Sequence, residues 1–211
     1  MKFPMLNIDG SKTNSIEVSD KLFKTKINYK LIKSVIDWQL NHAKPRTAKT
    51  KQRNQITGST KKIIAQKGSG GARHASKKAP IFVGGGIAHG PKGAVYKIKK
   101  INKKVRKLAI AHSLSKKNLE KKLYFLADVK NEIKKTKEFN KFLLKNKLSN
   151  VLIISDEESL KNINRSARNI KNLKLIQDKG TNIYDLFRYK NIIITSSSLK
   201  KIQERILNEK D

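Results

Sequence analysis

The sequence predicts an α/β fold: a mostly parallel sheet covered by helices on both faces, with a long basic extended loop inserted between two helices. Three observations predict it. Short apolar runs recur at residues 123–126, 151–154, 173–176 and 192–195, and helical apolar spacing fills the intervals between them. Buried strands of four or five residues alternating with amphipathic helices imply parallel pairing with both sheet faces covered. Between two helical patterns, residues 43–100 hold fifteen Lys or Arg, no Asp or Glu, and nine of the eleven glycines. The boundaries drawn are therefore 1–42 and 101–211 for a globular body, and 43–100 for the loop.

Residues 1–19 alternate loosely, with Phe3, Met5 and Ile8 separated from Ile16 and Val18 by Asp9-Gly10. That pattern reads as a short hairpin or two edge strands. From 28 to 42, Leu31, Ile32, Val35, Ile36, Trp38 and Leu40 form one stripe of an amphipathic helix. Trp38 is read as a core residue of that stripe and not as a platform for bases. Pro45 marks the helix stop, because the residue before a proline leaves the helical region.

In the loop, two arms at 44–64 and 81–100 are expected to run side by side, with 68–73 at the tip. Fully extended, such a hairpin reaches roughly 90 Å at about 3.3 Å per residue, and folding back shortens it. Beyond Asn102, Val105, Leu108, Ala109, His112 and Leu119 mark one helix face, ending near Lys122. Lys103, Lys104, Arg106, Lys107, Lys116 and Lys117 lie on or near its rim. Further helices centre on 136–148, 158–163, 181–187 and 198–207. No internal repeat is visible.

The formal net charge is +33 in 211 residues, which points to nucleic acid ahead of an anionic membrane surface. No carboxylate occurs between Asp37 and Glu120. A segment this charged, with few large apolar residues, cannot bury enough surface to offset its conformational entropy. A strongly anionic partner is needed to order it, and a polyphosphate backbone fits. No run approaches 18 apolar residues, so no membrane span is expected. The first nine residues lack the features of a signal peptide. Absence of cysteine excludes disulfides and thiolate metal sites, and fits a reducing compartment. Abundant Lys, Asn and Ile fit the AT-rich coding of a bacterial or organellar genome.

Nucleotide loops fail on inspection. Gly68-Ser69-Gly70-Gly71-Ala72-Arg73 ends in Arg where a dinucleotide fingerprint needs Gly, and it follows no strand. In the register of 85–90, Pro91 stands where a phosphate-loop Lys belongs. All four histidines, His42, His74, His89 and His112, lie in the acid-free zone, away from any carboxylate that a metal site would recruit. They read as RNA contacts or helix packing. The carboxylates sit mostly at helix surfaces, as at Glu157, Glu158 and Glu204, where helix starts account for them. No cofactor and no catalysis are expected.

The string 66–93, QKGSGGARHASKKAPIFVGGGIAHGPKG, and then INKKVRKLAIAHSL at 101–114, resembles the large-subunit ribosomal protein four family (the universal protein L-four), bacterial or organellar type. Members show a similar Gln-Lys-Gly-(Thr/Ser)-Gly-x-Ala-Arg stretch, a Pro-x-(Phe/Trp) pair, a triple glycine and an Asn-Lys-Lys helix opening. The resemblance covers the whole chain in layout and is most specific from 57 to 115, where Thr57-Gly58-Ser59 also fits. Ala65, Gly71 and Val83 depart from it, standing where members often carry Arg.

The resemblance implies a structural constituent of the large ribosomal subunit, in cytoplasmic or organellar ribosomes, that binds 23S-type rRNA. It also implies that the loop lines part of the polypeptide exit tunnel. Partners would be rRNA and other large-subunit proteins, with no membrane, no small-molecule substrate and no enzymatic activity. The alternative is a regulatory RNA-binding protein acting on its own mRNA leader. Residues assigned to phosphate contact are Arg46, Arg53, Lys61, Lys62, Lys67, Arg73, Lys77, Lys78 and Lys92. His74 and Phe82 are assigned to base stacking. Gly68, Gly70, Gly84, Gly85 and Gly86 are assigned to close approach of backbone to RNA.

Overall fold

The computed structural model describes residues 1–8, 12–44, 46–93, 100–129 and 131–207. Six strands form one sheet: β1 (Lys2–Leu6), β2 (Lys12–Glu17), β3 (Leu123–Leu126), β4 (Val151–Ser155), β5 (Leu173–Gln177) and β6 (Asn191–Thr195). Their spatial order is β2-β1-β3-β6-β4-β5. Only β1 and β2 pair antiparallel; every other neighbouring pair is parallel. The fold is thus α/β with a mostly parallel sheet, as the apolar runs indicate. The expected hairpin pairing is present between β1 and β2, and β1 also pairs with β3 through Met5–Phe125 and Leu6–Leu126. The Asp9-Gly10 turn and Pro45 lie outside the described residues.

Side chains alternate across each strand, so one strand feeds two cores. In β6, Ile192 and Ile194 join Leu152 and Ile154 of β4 in one apolar cluster. Ile193 joins Val151 and Ile153 in the other. All three β6 isoleucines are fully buried, each contributing about 1.5–3 kcal/mol of transfer free energy. This two-sided burial explains why the strands read as unbroken apolar runs.

On the first face sit α1 (Asp20–Phe23), α3 (Lys103–Leu119), α6 (Ile183–Arg188) and α7 (Ser196–Leu207), through Leu22, Phe23, Leu114, Leu186, Leu199 and Ile202. On the second sit α4 (Thr136–Lys145) and α5 (Glu157–Ala167), through Phe139, Phe142, Leu143, Ile163 and Ala167. Helix α2 (Tyr29–Ala43) packs Ile32 and Val35 against Ala109 and Ile183 in a third cluster. Trp38 borders that cluster with the Arg106 guanidinium 5.4 Å above its ring, which makes it part of the packing.

Helix α3 departs from its expected stripe. Leu108 and Leu119 are exposed, whereas residues 111–115 and Lys117 are buried. The reason is that α3 serves two clusters at once, Ala111 and Leu114 in the first and Ala109 in the third, so its polar residues also meet protein. Each finds a partner. Ser115 Oγ donates to the Leu22 carbonyl (3.1 Å) and accepts from the Thr25 amide (3.0 Å). His112 Nδ1 accepts from the Asn28 amide at 3.3 Å, so this histidine belongs to helix packing. Lys117 Nζ donates to the carbonyls of Tyr189 (2.7 Å) and Lys190 (3.3 Å), and burial pushes its pKa down. The helix ends at Leu119, short of Lys122.

The sheet's carboxyl edge is closed by a cap that crosses elements. Asp128, just past β3, accepts from the Ser197 amide (3.0 Å) and from the hydroxyls of Ser196 and Ser197 (both 2.6 Å) at the start of α7. Burial raises the Asp128 pKa, but these three hydrogen bonds and nearby Lys200 outweigh it and hold it below its ordinary value. A depressed carboxylate adds stability above its unfolded pKa, and that stability is lost as pH falls through the folded one. Asp128→Ala is therefore expected to lose about 1–2 kcal/mol near neutral pH. Urea titrations from pH 7 downward should show this gap from wild type persisting above about pH 4 and closing below it.

Candidate nucleic-acid interface

Backbone contacts divide the chain into two units, residues 1–40 with 100–211, and residues 41–99. The second carries 14 of the 49 basic residues and no acid. Ion pairs within it are therefore impossible, and main-chain hydrogen bonds hold it. The Thr50 amide donates to the Pro91 carbonyl (2.9 Å), Gly93 to Ala48 (2.8 Å) and Ile87 to Lys51 (2.9 Å), with a β-bridge between Lys49 and Lys92. Farther along, the Ile63 amide donates to the Ala75 carbonyl at 3.3 Å, closing the turn that contains 64–74. Residues 48–51 and 87–93 are thus antiparallel neighbours. The Lys97 and Lys99 side chains expected in the second arm lie outside the described residues.

The assigned cations point outward. Arg46, Arg53, Lys61, Lys62, Lys67, Arg73, Lys77 and Lys92 are exposed, and Lys78 is half-buried. Lys62 Nζ donates to Gln66 Oε1. Lys49 and Lys51 were not among the assigned residues, yet their bridge and carbonyl partners place them in the paired segment, just before the turn that carries Arg53. The signal was present in the sequence. Positions 49 and 51 stand two apart, the spacing that puts side chains on one side of an extended segment.

His74 and Phe82, the two rings assigned to stacking, meet each other edge-on with centroids 5.0 Å apart. Each covers part of the other and both are half-buried. Beside them Val83 is wholly exposed and Ile81 is 70% exposed. Gly68, Gly70 and Gly84 adopt left-handed backbone with nothing within 4 Å of where a Cβ would stand. Gly85 and Gly86 instead lie against the unit's own backbone.

The body has charge of its own. Setting aside the 14 cations of residues 41–99 leaves 35 basic residues against all 16 acids, an excess of 19. A cavity of about 550 Å³ on it is lined by Thr136, Lys137, Asn140, Asn169, Ile170 and Lys171. Among the described residues, no three His, Cys, Asp or Glu side chains converge as metal ligands. Nor is any described helix long and apolar enough to cross a membrane.

The profile of the ribosomal protein L4/L1 family matches residues 16–205. The chain belongs to this family. It is 50% identical to the large ribosomal subunit protein uL4 of Pelagibacter ubique, over 97% of this chain and 99% of that protein. The uL4 proteins of Hyphomonas neptunium and Thermotoga petrophila are 36% and 35% identical, each over 97% of this chain and at least 95% of their own length. As a member of the L4/L1 family, of the bacterial type, the chain is a ribosomal structural protein and not an enzyme.

Among the described residues, every member of the three core clusters lies outside 41–99, and closing a loop depends only weakly on its length. A chain in which a short Gly/Ser linker replaces 46–98 is therefore expected to keep a cooperative thermal transition. Calorimetry checks this, and loss of the transition would show that the body needs the loop to fold.

Proposed function

We propose that this protein is a structural constituent of the large ribosomal subunit that binds 23S-type rRNA through residues 41–99, and that the turn at 64–74 reaches the wall of the polypeptide exit tunnel. The observation that carries this is an acid-free segment of exposed cations in a chain of the L4/L1 family. Each Lys or Arg that meets a phosphate releases condensed counterions, a gain in the mixing entropy of those ions that depends on salt and not on base sequence. Specificity then comes from the shape of the RNA and from close main-chain approach. The turn suits a narrow space: Gly68, Ser69, Gly70, Gly71 and Ala72 are its small residues, flanked by Lys67 and Arg73. Neighbouring large-subunit proteins would complete its surroundings in the cytoplasmic ribosome.

The positive excess of the body favours a second reading, in which the same chain also binds RNA outside the particle, its own mRNA leader included. A footprint on the leader transcript would carry that reading.

Salt dependence tests the first. Replacing 46–98 with the linker removes twelve basic residues. If about six of them meet phosphates, the log–log dependence of rRNA affinity on salt should flatten by about five units. Filter binding across a salt series measures it. An unchanged slope would mean that the segment is not the electrostatic contact.

A further inference from the structure

We infer that Gly86, supported by Gly85, is the hub that gathers Lys51, Arg53 and Lys78 into one phosphate-binding cluster, and that these two glycines pack inside the loop and do not approach RNA. The inference builds on the reading of residues 41–99 as an rRNA contact. It assigns the second and third glycines of the triplet a different task from Gly84.

Three segments separated in sequence meet at Gly86. Its amide donates to the Lys78 carbonyl at 3.0 Å. The next amide, that of Ile87, donates to the Lys51 carbonyl at 2.9 Å. On its Cα side the main chain of Gln52-Arg53 presses so close that a Cβ would stand 2.3 Å from the Arg53 nitrogen and 2.6 Å from its Cα. Gly86 is buried. The 53–55 segment at this contact is a single 3-10 turn, closed by the Gln55 N–H donating to the Gln52 carbonyl (2.8 Å) and by the Gln52 N–H donating to Gln55 Oε1 (3.1 Å).

Gly85 closes the other side. Residues 78–86 form a ring of successive turns: Phe82 N–H to Ala79 O (3.1 Å), Gly85 N–H to Phe82 O (2.9 Å), and then the Gly86–Lys78 bond. A Cβ on Gly85 would stand 2.0 Å from the Ala79 carbonyl oxygen, a distance at which the ring must open. The side of each residue that glycine leaves bare is thus already occupied by protein. A phosphate has no room there. What the packing delivers is three cations from two segments, Lys51 and Arg53 from one and Lys78 from the other, whose main chains are fixed to a common junction. Preorganising cations in this way reduces the ordering entropy that binding must otherwise supply.

Gly84 is the control. It belongs to the same triplet, with a left-handed φ of 79° and open space around its missing side chain. Alanine there meets only the intrinsic penalty of left-handed backbone, about tenfold in the conformational equilibrium.

The test compares full-length Gly84→Ala, Gly85→Ala and Gly86→Ala by rRNA affinity over a salt series and by amide exchange at Thr50, Ile87 and Gly93, with and without 23S rRNA. Amides of Ile153 and Ile193 report in the same spectra on whether the body is folded. Gly85→Ala and Gly86→Ala should lose at least a hundredfold in affinity, flatten the salt slope by about two to three units as the cluster's phosphate contacts go, and leave the Thr50 and Ile87 amides unprotected in the RNA-bound state. Gly84→Ala should stay within about tenfold with its slope unchanged. The inference is overturned if Gly86→Ala keeps those amides protected or keeps the wild-type slope, or if they are unprotected in wild type in both states. Should wild type show no loop-dependent rRNA binding, the functional reading fails by itself, and protection of the same amides in the unbound chain decides the packing role.

Discussion

Uncompensated positive charge is the constraint on which the rest of this structure depends. Between Asp37 and Glu120 there is no carboxylate, so nothing in residues 41–99 can neutralise their fourteen cations from within. That unit is consequently held by main-chain hydrogen bonds and by glycine contacts too close for any side chain. Its apolar residues cannot take over, since Ile63, Ile81, Val83 and Ile87 are all exposed. The body carries the hydrophobic cores instead, two on the faces of the sheet and one under α2, with no described residue of the loop among them. Apolar core and acid-free charge thus belong to different stretches of chain.

Much of the body was legible in the sequence for one physical reason. Strands buried on both faces, such as Val151 to Ile154 and Ile192 to Ile194, must be apolar at every position, and such runs stand out in a polar chain. What escaped notice was polar or short. Helix α1 is four residues long and announces itself only by Leu22 and Phe23. Ser113, Ser115 and Lys117 are buried because α3 has neighbours on several sides, which helical periodicity cannot reveal. The Asp128 cap joins residues 68 and 69 positions apart, beyond the reach of local capping patterns.

Composition marks the charged segment, yet it cannot tell apart the residues inside it. Absence of acid marks the cations, and the spacing of Lys49 and Lys51 marks an extended stretch. A run of three glycines is uniform in sequence but not in space: Gly84 stands open in left-handed backbone, whereas Gly85 and Gly86 touch main chain. Likewise His74 and Phe82 are both aromatic candidates for bases, and only their geometry shows that they first contact each other. Family membership supplies the setting, a ribosomal particle; the residues supply the physics by which the chain would hold RNA there.

The account's central claim is that residues 41–99, and not the body alone, make the contact with large-subunit rRNA and carry the 64–74 turn to the tunnel. Site-specific photocrosslinkers at Arg53, Gly70 and, on the body, Leu144, mapped to single nucleotides in intact particles, test it most directly. The account predicts efficient crosslinks from Arg53 to duplex rRNA and from Gly70 to nucleotides lining the exit tunnel, with Leu144 reaching a separate region. Crosslinks from Leu144 alone, or from Gly70 only to solvent-side RNA, would contradict it.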